Sequence, residues 1–328
     1  MKGNFIKILF FGLIVLISAC SGGKAQTTPS VEKNAFEERG SFSADSAYSY
    51  VARQVEFGPR VPGTQAHTSC SEWLVEQFTA FGADTVFIMG NQATLWDGSV
   101  MPVRNIVARY KGEKPILLAA HYDTRPWADQ DPDAEARNQP FDGANDGASG
   151  VGVLLEIARN LGATRPEVGV DILLTDLEDY GSNGKDDSWC IGSQQFADAL
   201  LARNPNLPLS GYQYGILLDM VGGKDARFPR EYLSVQYAPA PTAKIWDMAA
   251  KLGLRNRFPT SVGGAITDDH LPLIRAGVPT ADVIESVNPQ TGTFPSTWHT
   301  KADNLENIDR ATLGDVGRVV LNVIYNEK

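Results

Sequence analysis

Cysteine and histidine are scarce in this chain, which has three cysteines and four histidines among 328 residues. Two of the cysteines, Cys70 and Cys190, lie far apart and build no disulfide framework, so we expect free or buried thiols. The count also excludes a metal site made mostly of cysteine. No Gly-x-Ser-x-Gly motif is present, so a serine hydrolase of that type lacks its nucleophile, and no glycine loop that cradles phosphates is present.

Long apolar runs are also missing outside the N-terminus. Lys2 and Lys7 precede an apolar run over residues 8–17, which is shorter than the roughly 20 residues that cross a bilayer. Small residues then lead to Cys20, as in a secretory signal peptide that ends in a lipidation motif. We therefore predict a lipoprotein signal peptide over residues 1–19 and a lipid on Cys20. An ordinary signal peptide or an uncleaved anchor remains the alternative.

Basic residues are fewer than acidic ones, which gives a formal net charge of −10 and a pI near 4.9. The signal peptide contains two lysines and no acid, so its removal leaves −12. This balance disfavours nucleic acid and anionic lipid surfaces as partners. We expect a lipidated tether over residues 20–41 and one domain over residues 42–328, because about 300 residues can bury a single large core. The protein should be exported, anchored to a bacterial membrane through Cys20 and face the periplasm.

Apolar runs typical of buried strands alternate with stretches of helical periodicity. The predicted strands are 85–89, 103–110, 115–120, 168–175, 214–220, 232–237 and 278–284. The predicted helices lie within 32–58, before Gly82, and over 149–161, 193–203, 241–252, 272–276 and 313–325. This alternation predicts an α/β fold with a mixed, largely parallel sheet covered by helices on both faces. Ligands bind such sheets beyond the carboxyl ends of the strands.

Several acidic residues and a histidine follow the predicted strands. His121 and Asp219 close two of them, although each is also compatible with a simple strand end. Asp176, Glu178 and Asp179 crowd three acids into four residues, which is unfavourable without a cation. Adjacent side chains of an extended chain point opposite ways, so we expect one of the last two to bind a metal and the other to act as a base.

Three further segments carry candidate residues. Asp146 lies among small residues in 143–150, which suggests backbone that closely approaches a ligand, although aspartate also caps helices well. Asp268 precedes a short predicted helix, where acids are favourable in any case. His299 lies beside Trp298 in an aromatic, proline-bearing loop. Imidazole and carboxylate groups placed after apolar runs are the ligands that zinc requires.

Taken together, these segments resemble the superfamily of zinc aminopeptidases and animal-type glutaminyl cyclases. The resemblance extends from about residue 42 to the C-terminus. It rests on Gly58-Pro59-Arg60-x-Pro62-Gly63, His121-Tyr122-Asp123, Asn145-Asp146-Gly147-Ala148-Ser149-Gly150, Glu178-Asp179, Leu218-Asp219-Met220, Asp268-Asp269-His270 and Trp298-His299-Thr300. It implies the zinc aminopeptidase-like fold.

The two branches of that superfamily imply different metal sites. In the dinuclear aminopeptidases the position of Asp146 bridges two zinc ions, the position of Glu178 is the general base, and the other ligands lie at the positions of Asp179, His299, His121 and Asp219. The cyclases hold one zinc through the positions of Asp146, Asp179 and His299. Asp268-Asp269-His270, and Trp298 directly before the histidine ligand, are similar to the cyclases.

One departure concerns Asp179, because both branches usually have glutamate there. The shorter aspartate arm requires the metal to lie nearer the backbone. A carboxylate-to-zinc distance of about 2.0–2.2 Å is still feasible.

We therefore expect a glutaminyl cyclase with one zinc, which converts the N-terminal glutamine of peptides and proteins to pyroglutamate and releases ammonia. The resemblance implies that the zinc ligands are Asp146, Asp179 and His299. It implies that the acid–base residues are Glu178, Asp219 and Asp268, and that the pocket residues are Trp298, Phe294 and Trp189. His121 would support the ligands without binding the metal itself. The alternatives are a dinuclear zinc aminopeptidase and a non-catalytic peptide-binding lipoprotein.

Overall fold

A central sheet and eight helices make up the part of the chain that the computed structural model describes, residues 36–203 and 211–328. The strands are β1 (Thr85–Met89), β2 (Gln92–Thr94), β3 (Val100–Pro102), β4 (Asn105–Tyr110), β5 (Glu113–His121), β6 (Val168–Thr175), β7 (Gly215–Asp219) and β8 (Thr280–Ile284). The helices are α1 (Ala44–Glu56), α2 (Gln65–Ala80), α3 (Ala148–Ala163), α4 (Ile191–Ala202), α5 (Tyr232–Tyr237), α6 (Pro239–Lys251), α7 (His270–Arg275) and α8 (Arg310–Asn326). The predicted signal peptide, Cys20 and most of the tether lie outside the described residues.

Six strands pair in the order β1-β4-β6-β5-β7-β8, while β2 and β3 form a separate hairpin. The four strands β6, β5, β7 and β8 run parallel, and β4 and β1 are antiparallel to their neighbours. The predicted mixed, largely parallel sheet is therefore confirmed. The carboxyl ends of the four parallel strands consequently meet at one edge.

Alternate residues of the strands pack into two separate cores, one on each face of the sheet. Leu118, for example, belongs to the larger core with Leu154 of α3. Leu117 belongs to the smaller core with Phe196 of α4 and Leu273 of α7. Helices cover both faces because both faces of such strands are apolar.

Most of the predicted elements occur in the structure, and the strands over 85–89 and 168–175 are reproduced residue for residue. Ser43 caps α1, since its hydroxyl accepts a hydrogen bond from the Ser46 N–H. In the described residues, no helix has the length and apolar character that crossing a bilayer requires.

The strand predicted over residues 232–237 is wrong, because this segment is helix α5. Its tyrosine and valine residues favour strands locally. The Glu231 carboxylate overrides that preference, since it accepts hydrogen bonds from the N–H groups of Leu233 and Ser234 and so caps a helix. The small hairpin of β2 and β3 was not among the predicted elements.

Candidate metal centre and active site

The carboxyl ends of β5, β6 and β7 place ionisable side chains together at one edge of the sheet. β5 ends at His121 and β7 at Asp219, while the turn after β6 carries Glu178 and Asp179. His121, Asp179 and Asp219 are buried. The structure therefore places these predicted residues at or just beyond the strand ends.

Asp146, Asp179 and His299 form one group of potential metal ligands, whose donor atoms lie within 4.8 Å of one another. His299 Nε2 is 3.2 Å from Asp179 Oδ1 and 3.5 Å from Asp146 Oδ2. Both carboxylate oxygens of Asp179 are buried and accept no hydrogen bond. Buried acceptors without donors are costly unless a cation compensates them. Two carboxylates and one imidazole match the three protein ligands of catalytic zinc sites, so these residues fit the metal.

His299 is held in an uncommon backbone conformation, with φ at +54°. Its Nδ1 atom is 3.2 Å from Asp129 Oδ1, while Nε2 faces the ligand group. A carboxylate behind a metal-binding imidazole orients the ring and raises its basicity. Burial opposes protonation of His299, but Asp179 and Asp129 outweigh it and raise the pKa of the imidazole to about 9. The ring thus lies in a strongly negative environment that favours a cation.

A loop in front of α3 holds Asp146 rigidly. The carboxylate of Asp303 accepts hydrogen bonds from the N–H groups of Asn145 and Asp146, at 2.7 and 3.0 Å. The buried guanidinium of Arg60 donates to the carbonyl oxygens of Asp142 and Gly143 in the same loop. Arg60 belongs to the Gly-Pro-Arg segment of the resemblance, and in the structure its hydrogen bonds hold the loop that carries Asp146.

The small residues around Asp146 have a structural reason that differs from the predicted one. Gly147 has φ at +89°, and a Cβ there would lie 2.8 Å from His121 Cε1. A Cβ on Gly150 would lie 2.2 Å from the carbonyl oxygen of Leu218 in β7. These glycines therefore allow the start of α3 to pack closely against the strands.

Glu178 and Asp179 diverge because the chain turns sharply after β6. Leu177 has φ at +54°, and the Asp123 carboxylate accepts hydrogen bonds from the N–H groups of Glu178 and Asp179, both at 3.2 Å. Asp179 joins the metal group, whereas Glu178 joins a group with Asp268. The two adjacent side chains therefore belong to different groups, and a turn separates them in place of extended backbone.

His121, Asp146 and Asp219 form a second group of potential ligands that shares Asp146 with the first. His121 Nε2 is 3.1 Å from Asp146 Oδ1 and 3.2 Å from Asp219 Oδ1. Burial lowers the pKa of His121, but hydrogen bonds with Asp123, Asp146 and Asp219 outweigh it and raise the pKa well above its ordinary value. The imidazole and the carboxylates of Asp146 and Asp219 thus form a buried group of opposite charges next to the first group of potential ligands.

An acidic cluster lies beside the metal group. Burial raises the pKa of Glu178 well above its usual range, His121 lowers it, and the charge of Asp268 raises it. Burial, followed by the charges of Asp219 and Asp269, raises the pKa of Asp268. The hydrogen-bonding partner of Asp219 is His121, and Asp219 acts on Asp268 through its charge. The cluster therefore holds protons at a pH where isolated carboxylates have lost them.

A pocket of about 280 Å³ opens over both groups and is lined by Asp146, Asp179, His299, Glu178, Asp219, Asp268, Trp189, Phe294 and Trp298, among others. The ring of Trp298 stacks on that of His299 at 3.8 Å, and Phe294 contacts Trp298 at 4.7 Å. The structure thus places all three predicted pocket residues on the wall. An aromatic wall beside charged groups is typical of a site for a small polar ligand.

Three residues that support the site were not predicted to do so: Asp129, Asp303 and Arg125. Arg125 pairs with Asp129 at 2.9 Å and donates to the carbonyl oxygen of Asp179 at 3.0 Å. His67 is structural, since its Nε2 atom is 2.8 Å from the buried Asp176 carboxylate.

Comparisons with known proteins agree with this geometry. Residues 105–324 match the model of peptidase family M28. A crystal structure of Bacteroides thetaiotaomicron glutaminyl cyclase bound to N-acetylhistamine is 46% identical with a TM-score of 0.84, covering 89% of this chain and all of that one. A Zn-dependent exopeptidase from Parabacteroides distasonis is 46% identical with a TM-score of 0.82, covering 87% of this chain and 99% of that one. Glutaminyl-peptide cyclotransferase from Bos taurus is 25% identical over 80% of this chain and 76% of its own length.

The chain therefore belongs to peptidase family M28 and, within it, to the bacterial glutaminyl cyclases. The family and its zinc-dependent members indicate zinc as the metal of the site.

Proposed function

We propose that this protein is a zinc-dependent glutaminyl-peptide cyclotransferase that binds one zinc ion and acts on peptides and proteins with N-terminal glutamine. The observation that carries the proposal is the turn after β6, from which Asp179 joins Asp146 and His299 while Glu178 faces the pocket. Such an arrangement provides three metal ligands and a separate base within one small cavity.

Asp146, Asp179 and His299 are the proposed zinc ligands. Zinc held by them would polarise the γ-carbonyl oxygen of the substrate glutamine and stabilise the negative charge that develops there. Arg60 and Asp303 fix the loop of Asp146, and Asp129 orients His299, so the ligands are placed before the metal binds.

Glu178 is the proposed proton carrier. The α-amine of the substrate forms a bond to the γ-carboxamide carbon, the carbon–nitrogen bond of the amide breaks, and ammonia leaves. Glu178 accepts the proton that the amine loses and returns it to the departing nitrogen. Its raised pKa suits both steps, because a raised pKa makes the carboxylate a better proton acceptor than an isolated glutamate.

Asp268 and Asp219 are the proposed acidic partners of Glu178 in proton transfer. The charge of Asp219 raises the pKa of Asp268, and the charge of Asp268 raises the pKa of Glu178, so protonation of these groups is linked. His121 holds Asp219 and Asp146 in place from behind. Since the attacking amine belongs to the substrate, the reaction consumes no water and needs no second metal to activate one.

Trp298, Phe294 and Trp189 form the wall that would hold the substrate ring as it closes. Five-membered ring closure within the substrate is already favoured by proximity. An aromatic wall excludes water and selects the compact conformer in which the amine reaches the amide carbon.

A dinuclear aminopeptidase is the second candidate, because His121, Asp146 and Asp219 could hold another ion. The decisive experiment combines ammonia release from a glutaminyl dipeptide, hydrolysis of an aminoacyl amide and metal content per chain. Ammonia release that a chelator abolishes, with one zinc per chain, supports the cyclase. Two zinc ions with amide hydrolysis would favour the peptidase. Turnover of neither substrate by the metal-replete protein would favour a peptide-binding lipoprotein.

We also propose, from the N-terminal residues alone, that Cys20 carries a lipid that anchors the protein to a bacterial membrane facing the periplasm. Detergent phase partitioning of the protein expressed in a bacterial host is the test. The wild type should enter the detergent phase, whereas Cys20→Ala should remain in the aqueous phase. Equal partitioning of both would contradict the anchor.

A further inference from the structure

A third cluster of potential metal ligands lies beside the proposed zinc ligands and uses none of them. Glu178, Cys190 and Asp268 each offer one donor atom within 4.8 Å of the other two. Cys190 Sγ donates a hydrogen bond to Glu178 Oε1 at 3.3 Å. A thiol next to carboxylates is an unusual neighbour for a general base, and it differs chemically from both groups of ligands described above.

We propose that Glu178, Cys190 and Asp268 form a second, inhibitory binding site for a thiophilic divalent cation such as Zn²⁺, Cd²⁺ or Co²⁺. An ion held there occupies the carboxylates that the proposed reaction needs for proton transfer. The inhibitory effect rests on the proposed role of Glu178, whereas the binding itself does not.

The distances suit such an ion. Ligand atoms of a tetrahedral zinc site lie about 3.4–3.6 Å apart, as follows from zinc–sulfur and zinc–oxygen distances near 2.3 and 2.1 Å. The 3.3 Å between Cys190 Sγ and Glu178 Oε1 already matches one edge of that tetrahedron. A small rotation of the Asp268 side chain closes the site, because no separation exceeds 4.8 Å.

A carboxylate oxygen of Asp268 that lacks a hydrogen-bond donor is independent evidence for a ligand at this place. Its side chain is 3% exposed, and its Oδ2 atom accepts no hydrogen bond. Its Oδ1 atom is already occupied by the N–H of Asp269. A buried acceptor without a donor costs free energy that a cation recovers. Rotation towards an ion therefore sacrifices no existing contact of Oδ2.

The backbone fixes Cys190 opposite Glu178. The Cys190 N–H donates to the Glu178 carbonyl oxygen at 3.0 Å, and its φ is +59°. Ser193 Oγ donates to the Cys190 carbonyl oxygen at 3.0 Å. The thiol is therefore held in position before an ion arrives, which reduces the entropy lost on binding.

Access and charge also favour an ion at this place. Glu178 and Asp268 both line the pocket, so an ion reaches them from solvent. Asp219 lines the same pocket, and Asp269 lies against the cluster and adds negative charge. Binding displaces the thiol proton, which leaves through the pocket, and the resulting thiolate is a ligand that soft cations prefer.

The test titrates Co²⁺ into the full-length protein whose proposed zinc site is already loaded. Cobalt bound to a thiolate shows a sulfur-to-metal charge-transfer band in the near ultraviolet, and no other group of potential ligands among the described residues contains sulfur. We expect the band in the wild type and its loss in Cys190→Ser. The matched controls Cys70→Ser and Cys20→Ser should keep it. Cys70 is the other buried thiol of the described residues.

The same variants distinguish inhibition by an ion bound at this site from inhibition by an ion bound elsewhere. Excess Zn²⁺ should inhibit the wild type, and Cys190→Ser should raise the inhibitory concentration at least about tenfold, since even indirect ligand contacts are worth that much. Cys190→Ala should behave likewise if the serine variant folds poorly. Inhibition unchanged in both variants, or absence of the band from the wild type, would overturn the proposal. The band requires no turnover. It therefore tests metal binding at this site even if the enzyme catalyses a different reaction.

Discussion

Replacing Glu178 with glutamine tests the proposed proton transfer without disturbing the metal ligands. Glutamine keeps the size of the side chain and an oxygen that can accept the hydrogen bond of Cys190 Sγ. The N–H of residue 178 still reaches Asp123, so the turn that places Asp179 remains. Only the capacity to bind and release a proton is lost. The variant should therefore fold, bind zinc and recognise the substrate as the wild type does.

The expected loss follows from the part that Glu178 plays. A positioned acid–base group contributes about 10²–10⁴ in rate, which corresponds to about 3–5 kcal/mol in the barrier. We expect kcat to fall by that factor while KM changes little, measured by ammonia release from a glutaminyl dipeptide. Zinc content, measured by elemental analysis, should stay equal to that of the wild type.

Asp186→Asn is the matched control, because Asp186 is an exposed acid on the rim of the same pocket. It removes one negative charge without touching the proton carrier, so kcat should remain near the wild-type value. A zinc loss in Glu178→Gln that parallels the loss of activity would identify Glu178 as a ligand. A fall in kcat of less than tenfold would refute its role as the general base.

Three further changes probe the ligands, the acidic cluster and the loop. His299→Ala removes one of three donors, so zinc affinity measured by competition with a chelator should fall at least about tenfold; tight binding would contradict the ligand set. Asp268→Asn removes a charge that raises the pKa of Glu178, so Glu178 stays deprotonated to lower pH and the acidic limb of kcat/KM should move to lower pH. A limb that moves upward would show that the sign is wrong. Asp303→Ala leaves two buried N–H groups unpaired, at about 1–3 kcal/mol each, and should lower Tm and weaken zinc binding; an unchanged Tm would show that the loop does not depend on this contact.

Local patterns in the sequence were sufficient for most of the fold. The apolar run of β6 and the helical periodicity of α3 identify their elements because burial on a sheet and on a helix face imposes different spacings. The failure at 232–237 has a local cause as well. Glu231 caps that helix, and a single buried carboxylate outweighed several strand-favouring side chains.

The candidate ligands could also be identified from the sequence, since each follows an apolar strand or lies in an unusual loop. The residues that support the ligands could not be identified in this way, because their function depends on partners that are distant in the sequence. Asp303 binds the N–H of Asn145, which lies 158 residues away, and no spacing within either segment predicts that contact. Asp129 and Arg125 likewise acquire their roles only beside His299 and Asp179.

The sequence by itself determined the order of strands and helices, the class of fold and the residues able to bind a metal, because side-chain chemistry and periodicity are local properties. Only the tertiary structure decided which of those residues lie together as potential metal ligands and which lie in the acidic cluster beside them. That division arises at Leu177, whose left-handed backbone and the carboxylate of Asp123 send two adjacent acids in different directions. Contacts between distant segments hold that turn, so the residues next to it in the chain do not reveal it.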